Sequence, residues 1–168
     1  MQEVAKFHKV SFSQFQKDWE NAFGKTPSNL KKIYNNIKLP LRATQGSAGY
    51  DFFAPTSLII PPKTQFLVPT GIRAEMQNGT FLAVFPRSGL GFKFRLQLNN
   101  TVGIIDADYF NAENEGHIML KLYNDTIEEK TVEISAGSGF AQGIFLPFGI
   151  TTDDQAIEKR SGGFGSTG

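Results

Sequence analysis

Cysteine is absent from all 168 residues, which excludes disulfides, thiolate metal sites and cysteine nucleophiles together. Histidine is almost absent: His8 and His117 are the only imidazoles, too few for a histidine-built zinc centre. Charge bias is missing as well, since 17 Lys and Arg face 16 Asp and Glu for a formal net charge of +1. No general basic footprint for nucleic acid or an anionic membrane follows, so a polyanionic ligand would have to be held by a local group of donors. No apolar run approaches the roughly 20 residues that span a bilayer. No basic stretch leads into an apolar one at the N-terminus, and no Gly-x-x-x-x-Gly-Lys phosphate loop or useful internal repeat occurs. These absences predict a soluble, cytoplasmic protein in a reducing compartment, in direct contact with neither nucleic acid nor membrane.

What is present suits one core. With 40% hydrophobic and 12% aromatic residues, a chain of this length buries about 70% of its unfolded surface. "SFSQFQKDWENAF" at 11–23 places Phe12, Phe15, Trp19, Ala22 and Phe23 at helical spacing, with a Ser to cap the start and Gly24 to end it. "TPSNLKKIYNNI" at 26–37 aligns Leu30, Ile33, Tyr34 and Ile37 behind Pro27 and predicts a second short helix. The plainer reading of this aromatic face, a helical pair packed on the main domain, is preferred to a partner surface. From Leu39 onward, short β-prone runs alternate with Gly, Pro and Asn: 64–76, the Asn78-Gly79 turn, 80–85, 101–105, 117–124, 130–134 and 140–148. The pattern predicts a mainly all-β sandwich or barrel. Three parts follow: a helical N-terminal extension (1–37), a β-rich core (38–152), and a polar, Gly-rich tail (153–168) expected to be mobile.

Five segments carry chemistry: "SAGYD" at 47–51, "PRSGLG" at 86–91, "NNTVGIIDADY" at 99–109, "GFAQ" at 139–142 and "RSGGFGSTG" at 160–168. The first reads by itself as a tight turn, with Asp51 bonding backbone amides. Arg87, Ser88 and Gly89 combine a guanidinium, a hydroxyl and accessible amides, good donors for phosphate oxygens; an ordinary surface turn is the alternative. Phe164 between Gly163 and Gly165 puts a ring on a hinge, beside Ser166 and Thr167, as a lid over a planar base requires. Asp106 ends an apolar run that contains Gly103, where a backbone or ligand can come close. A carboxylate there can orient a water and take its proton, or merely cap a turn. The Asn100 amide both donates and accepts, which suits a pyrimidine edge. If the runs on either side pair as a hairpin, Asn100 and Tyr109 lie near its base.

In this order the five segments resemble the dUTPase family over about residues 38–168. The resemblance implies a jelly-roll-like β fold and a homotrimer whose active sites are assembled from neighbouring chains. It implies hydrolysis of dUTP to dUMP and pyrophosphate, which keeps uracil out of DNA and supplies dUMP for dTMP synthesis. It also implies Mg²⁺, carried on the triphosphate, with Asp51 meeting its water shell. Asp106 would activate water against the α-phosphorus, and Tyr109 would pack on the deoxyribose and reject a 2′-hydroxyl. Asn100 and Gly103 would belong to the uracil pocket, with backbone groups of a 100–106 hairpin. Arg87, Ser88, Gly89 and Gln142 would hold phosphates. In the tail, Phe164 would stack on uracil beside Gly165 while Ser166 and Thr167 close on the terminal phosphates. The tail's expected arginine position is occupied by Lys159, so Arg160 is the candidate for the phosphate contact. "FNAENE" at 110–115 is longer than the family's usual turn, and residues 1–37 lie outside the resemblance. Two competing functions are a dCTP deaminase, which would lack the Asp106 and Tyr109 pairing, and a nucleotide-gated regulatory protein that uses the aromatic helix as its partner surface.

Overall fold

Short runs with alternating buried and exposed side chains set most of the architecture. The computed structural model describes residues 2–157. Its strands are β1 (Ala5–Lys9), β2 (Leu41–Arg42), β3 (Tyr50–Phe53), β4 (Leu58–Ile60), β5 (Gln65–Pro69), β6 (Ile72–Met76) and β7 (Thr80–Pro86). They continue with β8 (Leu96–Leu98), β9 (Gly103–Ile105), β10 (Met119–Asn124), β11 (Val132–Ile134) and β12 (Gly139–Pro147). The helices are α1 (Phe12–Phe23), α2 (Leu30–Asn35) and α3 (Ser88–Phe94), and a 3₁₀ turn spans Ala107–Asn111. A five-stranded sheet in the order β2-β3-β12-β7-β9 is accompanied by the sheets β5-β10-β8, β1-β6 and β11-β4. All recorded pairings among the described residues are antiparallel. The result is the expected mainly-β, jelly-roll-type fold.

Helix α1 forms where its apolar spacing places it. Ser11 Oγ accepts the Gln14 amide, and Gly24 closes the last turn at φ 72°. Its apolar stripe faces inward, so Phe15 and Trp19 join the same buried cluster as Val68, Leu120, Leu122 and Phe140 of the sheets. Each such side chain contributes about 1.5–3 kcal/mol on burial. The second helix is shorter than the pattern predicted: Pro27 and Asn29 are spent on a turn, Asn29 makes no side-chain cap, and helix begins only at Leu30. Strand β1 was not expected. It adds to β6 with Phe7 facing inward, so the first 37 residues contain a strand as well as two helices.

Three further readings change. Asp51 lies on strand β3, not in a tight turn, because Leu41 and Gln142 pair on either side of it. The runs around 99–102 do not pair with each other: β8 pairs with β10 and β9 with β7. Residues 99–102 therefore turn the corner between two sheets, and the 100–106 segment is not a hairpin. Ser88–Phe94 form α3, where the alternative reading of 86–91 was an ordinary surface turn.

Candidate active site

Three polar side chains converge where β3, β12 and β7 run side by side. Gln142 stands opposite Asp51 on one neighbour and Phe85 on the other. The Asp51 Oδ2 lies 3.5 Å from Arg87 Nη2, with the carboxylate side chain 18% and the guanidinium 46% exposed. The Arg87 amide donates to the Phe140 carbonyl at 3.3 Å, which fixes the backbone from which that side chain leaves. Two glycines keep these side chains where they are. A Cβ on Gly49 would stand 2.7 Å from Gln142 Oε1, and one on Gly139 would stand 2.9 Å from Arg87 Nη1. Neither glycine stands out in the sequence as a site residue, because the close approach is across strands.

Ser88 and Gly89 occupy the first turn of α3, where amide N–H groups have no intrahelical acceptor. Among the described residues, a Cβ on Gly89 would meet nothing within 4 Å. Beside them Phe85, Pro86, Arg87, Ser88, Phe92 and Leu96 line a cleft of about 420 Å³, with Phe92 94% exposed.

Asp106 lies at the other end of the same sheet. β9 runs antiparallel to β7, with Ile105 opposite Leu82 and Gly103 opposite Val84, so Asp106 leaves the sheet level with Phe81. Six residues of extended strand separate that level from Arg87, which is about 20 Å. Within one chain the structure therefore joins Asp51, Arg87, Ser88, Gly89 and Gln142 and sets Asp106 apart. Gly103 has a close neighbour of its own: a Cβ there would approach Val84 Cβ to 3.3 Å. Asn100 is exposed at the corner before β9.

The half-buried Asp106 precedes the 3₁₀ turn, whose Tyr109 amide donates to the Asp106 carbonyl. Tyr109 is 3% exposed. Its hydroxyl donates to the His117 carbonyl at 2.8 Å and accepts from Asn114 Nδ2 at 2.7 Å. The fully buried His117 ring bridges α1 and the β5–β6 corner, with Nδ1 2.6 Å from Asp18 Oδ2 and Nε2 accepting the Gly71 amide at 2.7 Å. An acceptor Nε2 requires the proton on Nδ1, so the ring is held as the neutral tautomer that donates to Asp18. Burial works against the Asp18 carboxylate, but the hydrogen bonds from His117 and Gln14 outweigh it and hold the group below its ordinary range. Glu115 behaves likewise: burial opposes its charge, while the Ser11 hydroxyl and amide, with Arg73 nearby, bring it below the ordinary value.

The tail candidates Lys159, Arg160, Phe164, Gly165, Ser166 and Thr167 lie outside the described residues. Among the described residues no three His, Asp or Glu side chains gather as a metal cage. No helix there is long and apolar enough to cross a membrane.

A sequence model of the dUTPase family matches residues 35–168. A deoxyuridine 5'-triphosphate nucleotidohydrolase of Lactococcus lactis is 44% identical over 135 residues, covering 79% of this chain and 89% of that protein. The same-named protein of Actinobacillus pleuropneumoniae is 40% identical over 145 residues, covering 82% and 91%. Among solved structures, dUTPase from Streptococcus mutans aligns with a TM-score of 0.63 and 36% identity over 86% of this chain and 97% of that one. The Staphylococcus bacteriophage 80alpha dUTPase with dUPNHPP aligns with a TM-score of 0.64 over 99% of each chain, at 20% identity, a likeness of fold alone.

Proposed function

The chain belongs to the dUTPase family, and from that premise we propose how its residues perform the reaction. It hydrolyses dUTP to dUMP and pyrophosphate. Phosphoryl chemistry of this kind needs in-line placement of water and dispersal of charge on the leaving group more than covalent attack. Arg87, the hydroxyl of Ser88, the open amides at Ser88 and Gly89, and Gln142 hold the triphosphate oxygens. Asp106 orients a water against the α-phosphorus and takes its proton as the new P–O bond forms and pyrophosphate departs. Asn100 pairs with the uracil edge beside Gly103. The buried Tyr109 ring, fixed through its hydroxyl, bars a 2′-hydroxyl. In the tail, Arg160, Ser166 and Thr167 close on phosphates, and Phe164, flanked by Gly165, covers the base.

The residues fit a Mg²⁺ ion that arrives with its substrate. Such an ion keeps several waters and takes one or two carboxylates besides phosphate oxygens, and Asp51 supplies a single, partly exposed carboxylate next to Arg87. Asp51 would hold the ion through its waters, and the bound ion would neutralise charge on the triphosphate.

The observation that carries the assembly is the separation of about 20 Å between Asp106 and the phosphate-binding group along one sheet. A nucleoside triphosphate bound at Arg87 reaches an Asp106 more readily from a neighbouring copy than from its own chain. This supports sites shared between copies; we infer that the assembly is a homotrimer and that it acts in the cytoplasm. The test is pyrophosphate release across dUTP, UTP, dCTP and dTTP. Release from dUTP alone supports the reading, whereas ammonia from dCTP would overturn it in favour of a deaminase.

A further inference from the structure

We propose that the segment preceding the family match positions Asp106, through a relay of buried and part-buried contacts running from Asp18 and Ser11 to the 3₁₀ turn. The inference rests on Asp106 being the base, and adds to it the residues that hold that carboxyl in place. The relay is continuous. Asp18, on α1, accepts from His117 Nδ1; the His117 carbonyl accepts the Tyr109 hydroxyl; Tyr109 is the centre of the short turn that Asp106 begins. Asn114 holds the same hydroxyl from the other side.

The insertion 110–115 is clamped at both ends of its own loop. Glu115 accepts the Ser11 amide at 2.7 Å and the Ser11 hydroxyl at 2.6 Å. Arg73 lays its guanidinium 3.6 Å from the centre of the Phe110 ring and donates to the Phe110 carbonyl. Its Nε is buried with no partner among the described residues, so the stacked position is kept at the expense of a hydrogen bond. Gly116 seals the loop at φ 68°, where a Cβ would fall 2.5 Å from the Tyr109 carbonyl. An insertion held by this many contacts is a fixed part of the Asp106 turn. Ser11, which holds Glu115, and Asp18, which holds His117, lie before residue 35, where the family match begins, while Arg73 lies within it.

A 1 Å displacement of a catalytic group costs on the order of a hundredfold in rate. The relay therefore affects turnover more than ground-state binding. Asp18→Ala leaves the His117 N–H without its acceptor and removes the tie to α1. Its kcat for dUTP is expected to fall by about tenfold or more while KM stays within about twofold. Asp18→Asn should recover most of that loss, because one amide oxygen in the place of Oδ2 can accept from both His117 and Gln14. In an Asp106→Asn background, single-turnover rates with and without Asp18→Ala should coincide, since a displaced base that is already disabled has nothing more to lose.

Activity is read per folded assembly, well below each variant's Tm. If Asp18→Ala proves insoluble, Glu115→Ala, at the half-buried edge of the relay, carries the same three readouts. Unchanged kcat in a variant with a lowered Tm would show a purely structural tie and overturn the proposal. So would a further tenfold loss in the Asp106→Asn background. Wild-type protein that releases no pyrophosphate from dUTP would instead overturn the assignment of function, a separate result visible before any variant is made.

Discussion

Gly49→Ala isolates one close approach in the site. The Gly49 backbone is not in the left-handed region, so alanine is acceptable to the chain itself. The new Cβ would stand 2.7 Å from Gln142 Oε1, with the rest of that side chain at 3.5 Å or beyond. The amide end must retreat by roughly half an ångström or more to reach ordinary contact distance. Because it is the far end of a flexible side chain, the strain is about 0.5–1.5 kcal/mol. The reduced freedom of the unfolded chain offsets about 0.4–1 kcal/mol of that, so Tm should barely move. Activity is another matter. If Gln142 donates to a phosphate oxygen, losing that bond removes about 1.5–3 kcal/mol, or about 10- to 150-fold in kcat/KM. Steady-state pyrophosphate release measures it, with Gly46→Ala as control, since a Cβ there meets nothing within 4 Å among the described residues. Gln142→Ala should match Gly49→Ala, and the double variant should lose little more than either alone. Wild-type kcat/KM in Gly49→Ala, with Gln142→Ala impaired, would refute the reasoning.

Asp106→Asn should lower kcat by about 10²–10⁴-fold, the usual contribution of a positioned base, while a non-hydrolysable dUTP analogue still binds by calorimetry. Phe15→Ala, at a position with no exposed surface, should cost about 3–5 kcal/mol in chemical denaturation, against nearly nothing if α1 were an ornament on the core. Asp18 and Glu115 titrate below the ordinary carboxylate range in the fold. The stability they contribute is therefore present above about pH 4 and lost as pH falls through their lowered values. Glu115→Gln should flatten that acid limb in denaturation curves, and an identical limb would contradict the pairing with Ser11.

Helix α1 was legible because spacing, cap and terminating glycine agree: Phe15 and Trp19 lie on the buried stripe, with Ser11 and Gly24 at its ends. Strands β7 and β9 to β12 were legible from Gly and Asn punctuation, and β5 and β6 as a single run, whereas β8 was not. Strand β1 was hidden because only Phe7 of its five residues is buried, so the alternation carries almost no hydrophobic contrast. Helix α3 was hidden because Gly89 and Gly91 read as turn residues in "SGLGFKF". The corner at 99–102 failed for a different reason. Adjacent β-prone runs usually pair, but β8 and β9 found their partners in β10 and β7, a choice decided by the core. In the candidate site, Arg87 and Asp106 stand out as candidates by type, but their separation along β7 does not, since it depends on a register no local pattern encodes. The same holds for Gly49 and Gly139, which matter through what lies across the sheet, and for Asp18, whose partner is 99 positions away.

The polarity of the five-stranded sheet has a bearing on inheritance. If Asp106 is the base and Arg87 the phosphate clamp, a chain that carries them at opposite ends of β7 would lend each to a different neighbour. Two differently broken alleles, one lacking the acid and one lacking the arginine, would thus rebuild sound centres when co-expressed, although each is dead when expressed alone.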